Sequence, residues 1–166
     1  MSCQSERIHL SVKKMENILD PEMLQKVEVL KMSNLIASFK GETPEQFYKH
    51  CNEQLTSDVY DIANELTVEQ FYVPLWFALR AGRITASTIY EASCSTTMNQ
   101  NLIKKLLGEG VLTTWNSPSG QRGVIQKGYV FNELLREFPG LRKSGLVVDK
   151  QFPVIAASPD GSSRFI

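Results

Sequence analysis

Pro139-Gly140 is the sharpest boundary in the chain. Proline cannot sit in a helix interior, and glycine loses the most backbone freedom there, so the pair stops the helix predicted over residues 122–138. Behind it the pattern changes. Gly145-Leu-Val-Val-Asp149 and Phe152-Pro-Val-Ile-Ala156 read as two short strands. Ser158-Pro159-Asp160-Gly161 reads as a tight turn, with proline second and glycine fourth. Arg164-Phe165-Ile166 then reads as the start of a third strand. Helices in front and strands behind define an α+β chain.

The front is punctuated by proline. Residues 21–39 have mixed helical spacing, and Pro44 stands at a permitted first-turn position of a helix over residues 44–55. Thr67 and Gln70 have capping-box spacing ahead of an apolar face formed by Val68, Phe71, Tyr72, Leu75, Trp76 and Leu79. That spacing makes Trp76 and its neighbours core residues. Pro74 kinks this run or starts a second helix in it. A short helix is expected over residues 85–93 with Thr85 as its N-cap, and another over 99–107, closed by Gly108 and Gly110. Residues 113–121 read as a polar loop. Residues 1–65 carry no pattern that proposes chemistry: His9 and His50 are isolated.

No apolar run approaches the ~20 residues of a membrane-spanning helix, and the N-terminus lacks the apolar core of a secretory signal, so the chain reads as intracellular, nuclear or cytoplasmic. Cys3, Cys51 and Cys94 lie far apart without metal-ligand spacing and read as reduced thiols. The formal net charge is zero, but residues 1–79 carry 7 basic against 12 acidic side chains, and residues 80–166 carry 11 against 6. A basic C-terminal half suits a nucleic-acid partner, and ordinary solvated charge explains it equally well.

Chemistry concentrates in two places. Between Arg80 and Ser87, two arginines, a glycine, Thr85 and Ser87 crowd ahead of a helix start. Guanidinium forks and free helix N–H groups both suit phosphate, although capping accounts for Thr85 as well. The second place is Asp160, where a carboxylate fixed after a strand can hold a divalent metal. Taken alone, it is more simply a turn-forming aspartate.

Together, the segment Arg80-x-Gly-Arg-Ile-Thr-Ala-Ser87 and the later Ser158-Pro-Asp-Gly161 resemble the YqaJ viral recombinase and lambda-exonuclease family of PD-(D/E)XK nucleases. Residues 122–135 and 141–161 also look like versions carried by eukaryotic mobile elements. The resemblance covers residues 70–166 and finds no support in residues 1–65. It implies a restriction-endonuclease-like mixed-sheet core, begun but incomplete, over residues 66–166, behind a helical N-terminal region over residues 1–65. It further implies magnesium-dependent degradation of one strand from duplex DNA ends in recombination and repair, and assembly of several copies. Arg80 and Ser87, with Thr85 as a helper, would contact the DNA 5′-phosphate. Asp160 would bind the metal.

Two departures from the family pattern stand out. The chain ends at Ile166, before the ExK motif that supplies the second acid and a lysine. In the run Arg122-Gly-Val-Ile-Gln-Lys127-Gly-Tyr-Val130, Lys127 holds the place of a family glutamate. At about 100° per residue Lys127 shares a face with Val124, Phe131, Leu134 and Phe138, while Glu133 points elsewhere. There it would snorkel outward or reach toward DNA phosphate, and it cannot bind metal as a carboxylate does. One carboxylate makes a weak magnesium site. The expectation is therefore a nuclease-family chain that does not cleave DNA. The alternatives are a non-catalytic DNA-end binding module and an inert mobile-element or protein-interaction remnant.

Overall fold

The computed structural model of the chain describes residues 20–97, 99–108 and 118–163, without the side chains of residues 118–121 and 124. These form an α+β fold. Four helices come first: α1 (Pro21–Glu28), α2 (Met32–Ser38), α3 (Pro44–Gln54) and α4 (Ser57–Leu66). A 3-10 turn at Gln70–Tyr72 leads into α5 (Pro74–Arg80), α6 (Ile89–Cys94), α7 (Gln100–Leu106) and the long α8 (Pro118–Glu137). Strands β1 (Leu141–Lys143), β2 (Val147–Val148), β3 (Ala156–Ala157) and β4 (Gly161–Ser163) follow. No helix among the described residues is long and apolar enough to cross a membrane.

Prolines and caps set the helix starts. Pro21, Pro44 and Pro74 each open a helix, where the missing N–H costs nothing. Asp20 accepts from the Glu22 N–H at 2.9 Å. Thr43 and Gln46 form a reciprocal capping box on α3. Pro74 thus starts a helix rather than kinking one.

Thr67 does not open a helix, contrary to the capping-box spacing. It ends α4: its hydroxyl donates to the Ala63 carbonyl at 2.6 Å and accepts from the Leu146 N–H at 2.8 Å. A hydroxyl can serve either helix end, and here the buried Leu146 amide decides the choice. Likewise Thr85 is not an N-cap. Helix α6 begins at Ile89 with Thr88 before it, and Thr88 Oγ1 accepts from the Thr85 N–H at 2.9 Å. Gly108 closes α7 at φ +84°, while Gly110 lies outside the described residues. So do residues 113–117 of the expected loop; residues 118–121 instead begin α8.

The strands nest as one interrupted hairpin. β2 pairs with β3 (Val147 opposite Ala157), and β1 pairs with β4 (Lys143 opposite Gly161), both antiparallel. The expected strand over residues 152–156 sits further on, because residues 149–155 make the turn. Asp149 caps that turn, accepting from the Gln151 and Phe152 N–H groups at 2.8 and 2.7 Å. β1 and β4 had no apolar run to announce them. The strand expected over residues 164–166 lies outside the described residues. Ile84 adds a single parallel bridge to Ile155 beside this hairpin.

One core joins the front helices to the hairpin. Val27, Leu30, Leu35, Cys51, Ala63, Leu79 and Leu146 are completely buried in it. Cys51 is a free thiol whose pKa burial raises; Cys94 is free and exposed, and Cys3 lies outside the described residues. Gly145 is required where the hairpin meets α4, because a Cβ there would run into the Asn64 carbonyl and lie 2.5 Å from Thr67 Oγ1.

Arg83 lies inside this core, 1% exposed, with no carboxylate partner among the described residues. Its guanidinium donates instead to three carbonyls: Leu30 (2.5 Å), Leu79 and Pro153 (2.8 Å). Burial lowers its pKa to about 10, which leaves it charged at neutral pH. Replacement by an apolar side chain of similar size strands three buried acceptors. Arg83→Met is therefore expected to lose about 3 kcal/mol or more in urea denaturation. Arg83→Lys should recover little of it, because an ammonium cannot reproduce the planar fork. A loss below about 1 kcal/mol in both variants would show the carbonyls to be satisfied otherwise.

Candidate nucleic-acid interface

Helix α5 places Trp76 and Arg80 one turn apart on the same side. The Arg80 guanidinium lies over the Trp76 ring, 4.2 Å from its centroid. Ser158 Oγ accepts from both, at 2.9 Å from Trp76 Nε1 and 3.2 Å from Arg80 Nη1. Arg80 is thereby tied to the Ser158-Pro-Asp-Gly161 segment. Burial lowers its pKa, and it makes no ion pair among the described residues. A half-buried cation held by a ring face and a hydroxyl keeps its charge available to an external anion.

The backbone repeats this connection. Ile84 N–H donates to the Val154 carbonyl at 2.8 Å, and the Ala156 N–H donates to the Ile84 carbonyl at 3.0 Å. Residues 80–84 therefore lie beside residues 154–158. Thr85 Oγ1 and Ser87 Oγ are 3.1 Å apart, with Thr85 buried and Ser87 exposed. The structure gives no contact between Arg80 and either hydroxyl.

Asp160 follows immediately. Its carboxylate Oδ1 lies 2.5 Å from Lys127 Nζ. Lys127 also donates to Gln70 Oε1 at 3.0 Å. The lysine expected to snorkel or to reach for DNA instead closes on the aspartate expected to bind metal. Its face of α8 is only partly covered: Lys127 and Phe131 are half-buried, but Leu134 and Phe138 are 39% and 45% exposed. The side chain of Val124 lies outside the described set. Glu133 pairs with Arg136 at 2.9 Å, away from the site.

Gln70 was read as a capping residue, and its real position had no local signal. It is buried with a backbone φ of +48°, rare for a side-chain-bearing residue. Its Nε2 donates to the Ser144 carbonyl at 3.0 Å and the Pro159 carbonyl at 2.9 Å. These carbonyls flank the interruption in the hairpin, so a side chain bridges the gap in the ladder. The same amide turns Oε1 toward Lys127. Around this point opens a groove of about 290 Å³ lined by Glu69, Gln70, Phe71, Tyr72, Lys127, Phe131, Asn132, Lys143 and Asp160, among others. Lys143 pairs with Glu69 at 3.2 Å, so each acid in the groove has an ammonium partner.

Magnesium, which the resemblance implies, does not suit this donor set. The Asp160 carboxylate is engaged by Lys127 and Glu69 by Lys143. No group of three or more His, Cys, Asp or Glu residues among the described residues could hold a metal. In comparisons with family models, curated proteins and solved structures, nothing matches the chain.

Gln70→Ala removes both donors from the hairpin gap and is expected to lower stability by about 2–4 kcal/mol in chemical denaturation. Gln70→Glu is close in shape but carries no N–H, so it should lose a similar amount. A Gln70→Glu variant as stable as the parent would show that the two carbonyls do not need the amide.

Proposed function

We propose that this chain is a DNA-end binding protein related to the YqaJ and lambda-exonuclease family, which holds a 5′-phosphate without hydrolysing the strand. The observation that carries the reading is the Arg80 guanidinium. It is partly buried, free of any carboxylate among the described residues, and fastened to Ser158 beside Asp160. Phosphate is the natural complement to such a group. The Ser87 hydroxyl, further along the same segment, is exposed and can supply another donor, while Thr85 is buried beside it. A parallel bridge beside antiparallel pairs is consistent with the start of a restriction-endonuclease-like mixed sheet. The absence of hydrolysis rests on Lys127, whose ammonium takes up the Asp160 carboxylate.

A second reading, a protein-interaction remnant, draws on the outer side of α8, where Ile125, Tyr129 and Val130 are 59%, 70% and 58% exposed. It predicts no affinity for DNA.

Duplex DNA with and without a 5′-phosphate, titrated in magnesium and followed by both anisotropy and gel, separates these readings. The phosphorylated duplex should bind more tightly, with affinity falling as salt rises and no products formed. Arg80→Ala should remove the preference, costing about tenfold or more on the phosphorylated duplex. Equal affinity for both duplexes, or none, overturns end recognition. Products lost in Asp160→Ala overturn the non-hydrolytic part.

A further inference from the structure

Two oxygens from separate parts of the fold converge on Lys127 Nζ: Asp160 Oδ1 at 2.5 Å and Gln70 Oε1 at 3.0 Å. Gln70 is buried, and its Nε2 is held by the Ser144 and Pro159 carbonyls, which fixes where Oε1 points. Asp160 follows Pro159 directly, so the same amide positions the start of the aspartate's segment. An oxygen pair of this kind is a cation seat. Divalent ions take such oxygens at about 2.0–2.6 Å, a range that the ammonium meets at Asp160 and exceeds at Gln70. Lysine reaches the point from α8 with three N–H donors, one of which goes to Gln70 Oε1, and holds Asp160 as an ion pair.

We propose that the Lys127 ammonium is the resident cation of this groove, seated where a divalent ion would sit, so that the groove receives a phosphodiester without needing metal. An N–H beyond the one given to Gln70 is offered to a phosphate oxygen. The first half of the proposal stands on the geometry alone; the second rests on the DNA-end reading. Charge arithmetic makes the idea testable. Lys127 and Asp160 sum to zero. Lys127→Glu leaves two carboxylates, and one divalent ion returns the sum to zero. The ion pair is well exposed, at 37% and 61% for its two side chains, so its loss should cost little stability.

The test uses the full chain, Lys127→Glu, Lys127→Gln, and Lys127→Glu combined with Asp160→Asn, each checked for folding by circular dichroism. Mn²⁺ binding is measured by calorimetry without DNA. Binding of the 5′-phosphorylated duplex is measured in chelator and in Ca²⁺ at matched ionic strength. The parent should show no saturable Mn²⁺ site. Lys127→Glu should bind Mn²⁺ at least about tenfold more tightly, and the added Asp160→Asn should abolish the gain. Parent DNA affinity should be the same in chelator and in Ca²⁺. Lys127→Glu should bind DNA weakly in chelator and recover in Ca²⁺, whereas Lys127→Gln should be weakened in both. A parent Mn²⁺ site lost in Asp160→Asn, or a folded Lys127→Glu with no gain in Mn²⁺ affinity, overturns the cation substitution. Parent DNA binding that requires Ca²⁺ overturns metal independence. If the Mn²⁺ results hold and no variant binds DNA, the substitution stands and the DNA-end reading falls.

Discussion

The side-chain amide of Gln70 is the point on which the site's geometry depends. The hairpin that ends the described chain is interrupted between its two strand pairs, at Ser144–Leu146, which lie against α4 and Thr67, and at residues 158–160 on the returning strand. Strand pairing cannot continue there, and buried carbonyls must find donors elsewhere. Gln70 supplies both, to Ser144 and Pro159, from a turn 74 and 89 residues away in sequence. The cost is a left-handed backbone at Gln70, of order 1–3 kcal/mol. Such a conformation persists because the two hydrogen bonds and the surrounding burial determine it together. The consequence is functional geometry: the bridged gap is the segment that carries Ser158 and Asp160.

Arg83 performs the corresponding task for the other half of the site. A buried guanidinium without a counter-carboxylate is tolerable when carbonyl dipoles surround it. Its three acceptors come from the loop after α1, from α5 and from the turn before β3. Any slippage of residues 80–88 against residues 153–156 would leave that charge exposed to apolar surroundings. The two arginines of one short segment thus have different fates. Arg83 faces inward and fixes the register; Arg80, one short turn earlier, lies over Trp76 with no carboxylate partner among the described residues.

Much of the helical framework was legible because its signals are local. Prolines at helix starts, glycine at the end of α7 and the stop at Pro139-Gly140 act within a few residues of themselves. Thr67 and Thr85 were misread for the same reason: a hydroxyl can serve several nearby backbone groups, and the choice is made by distant partners such as the Leu146 amide. β1 and β4 were missed because Leu-Arg-Lys and Gly-Ser-Ser carry no apolar alternation, and their pairing is imposed by the inner hairpin. At the site, the Arg80–Ser158 contact joins two segments that the sequence singled out separately, and nothing local to either announces the other. Lys127 was legible as a departure, but its partners were not. Nothing near residue 127 announces that Asp160 and Gln70 will meet it.

The two cations beside the Ser158–Asp160 segment differ in a way that matters for binding. Lys127 is neutralised by Asp160 and contributes little field at a distance, so it cannot draw in an anion over more than a contact or two. Arg80 is not neutralised by any described carboxylate, and the aromatic face beneath it excludes water from one side. In the DNA-end reading proposed above, its field is the one an approaching phosphate would meet. The ammonium would act afterwards, at contact range, where an N–H beyond the one given to Gln70 could be offered. In that proposal recruitment and seating fall to different residues, and the second would need no recruited ion because its positive charge is covalently part of α8.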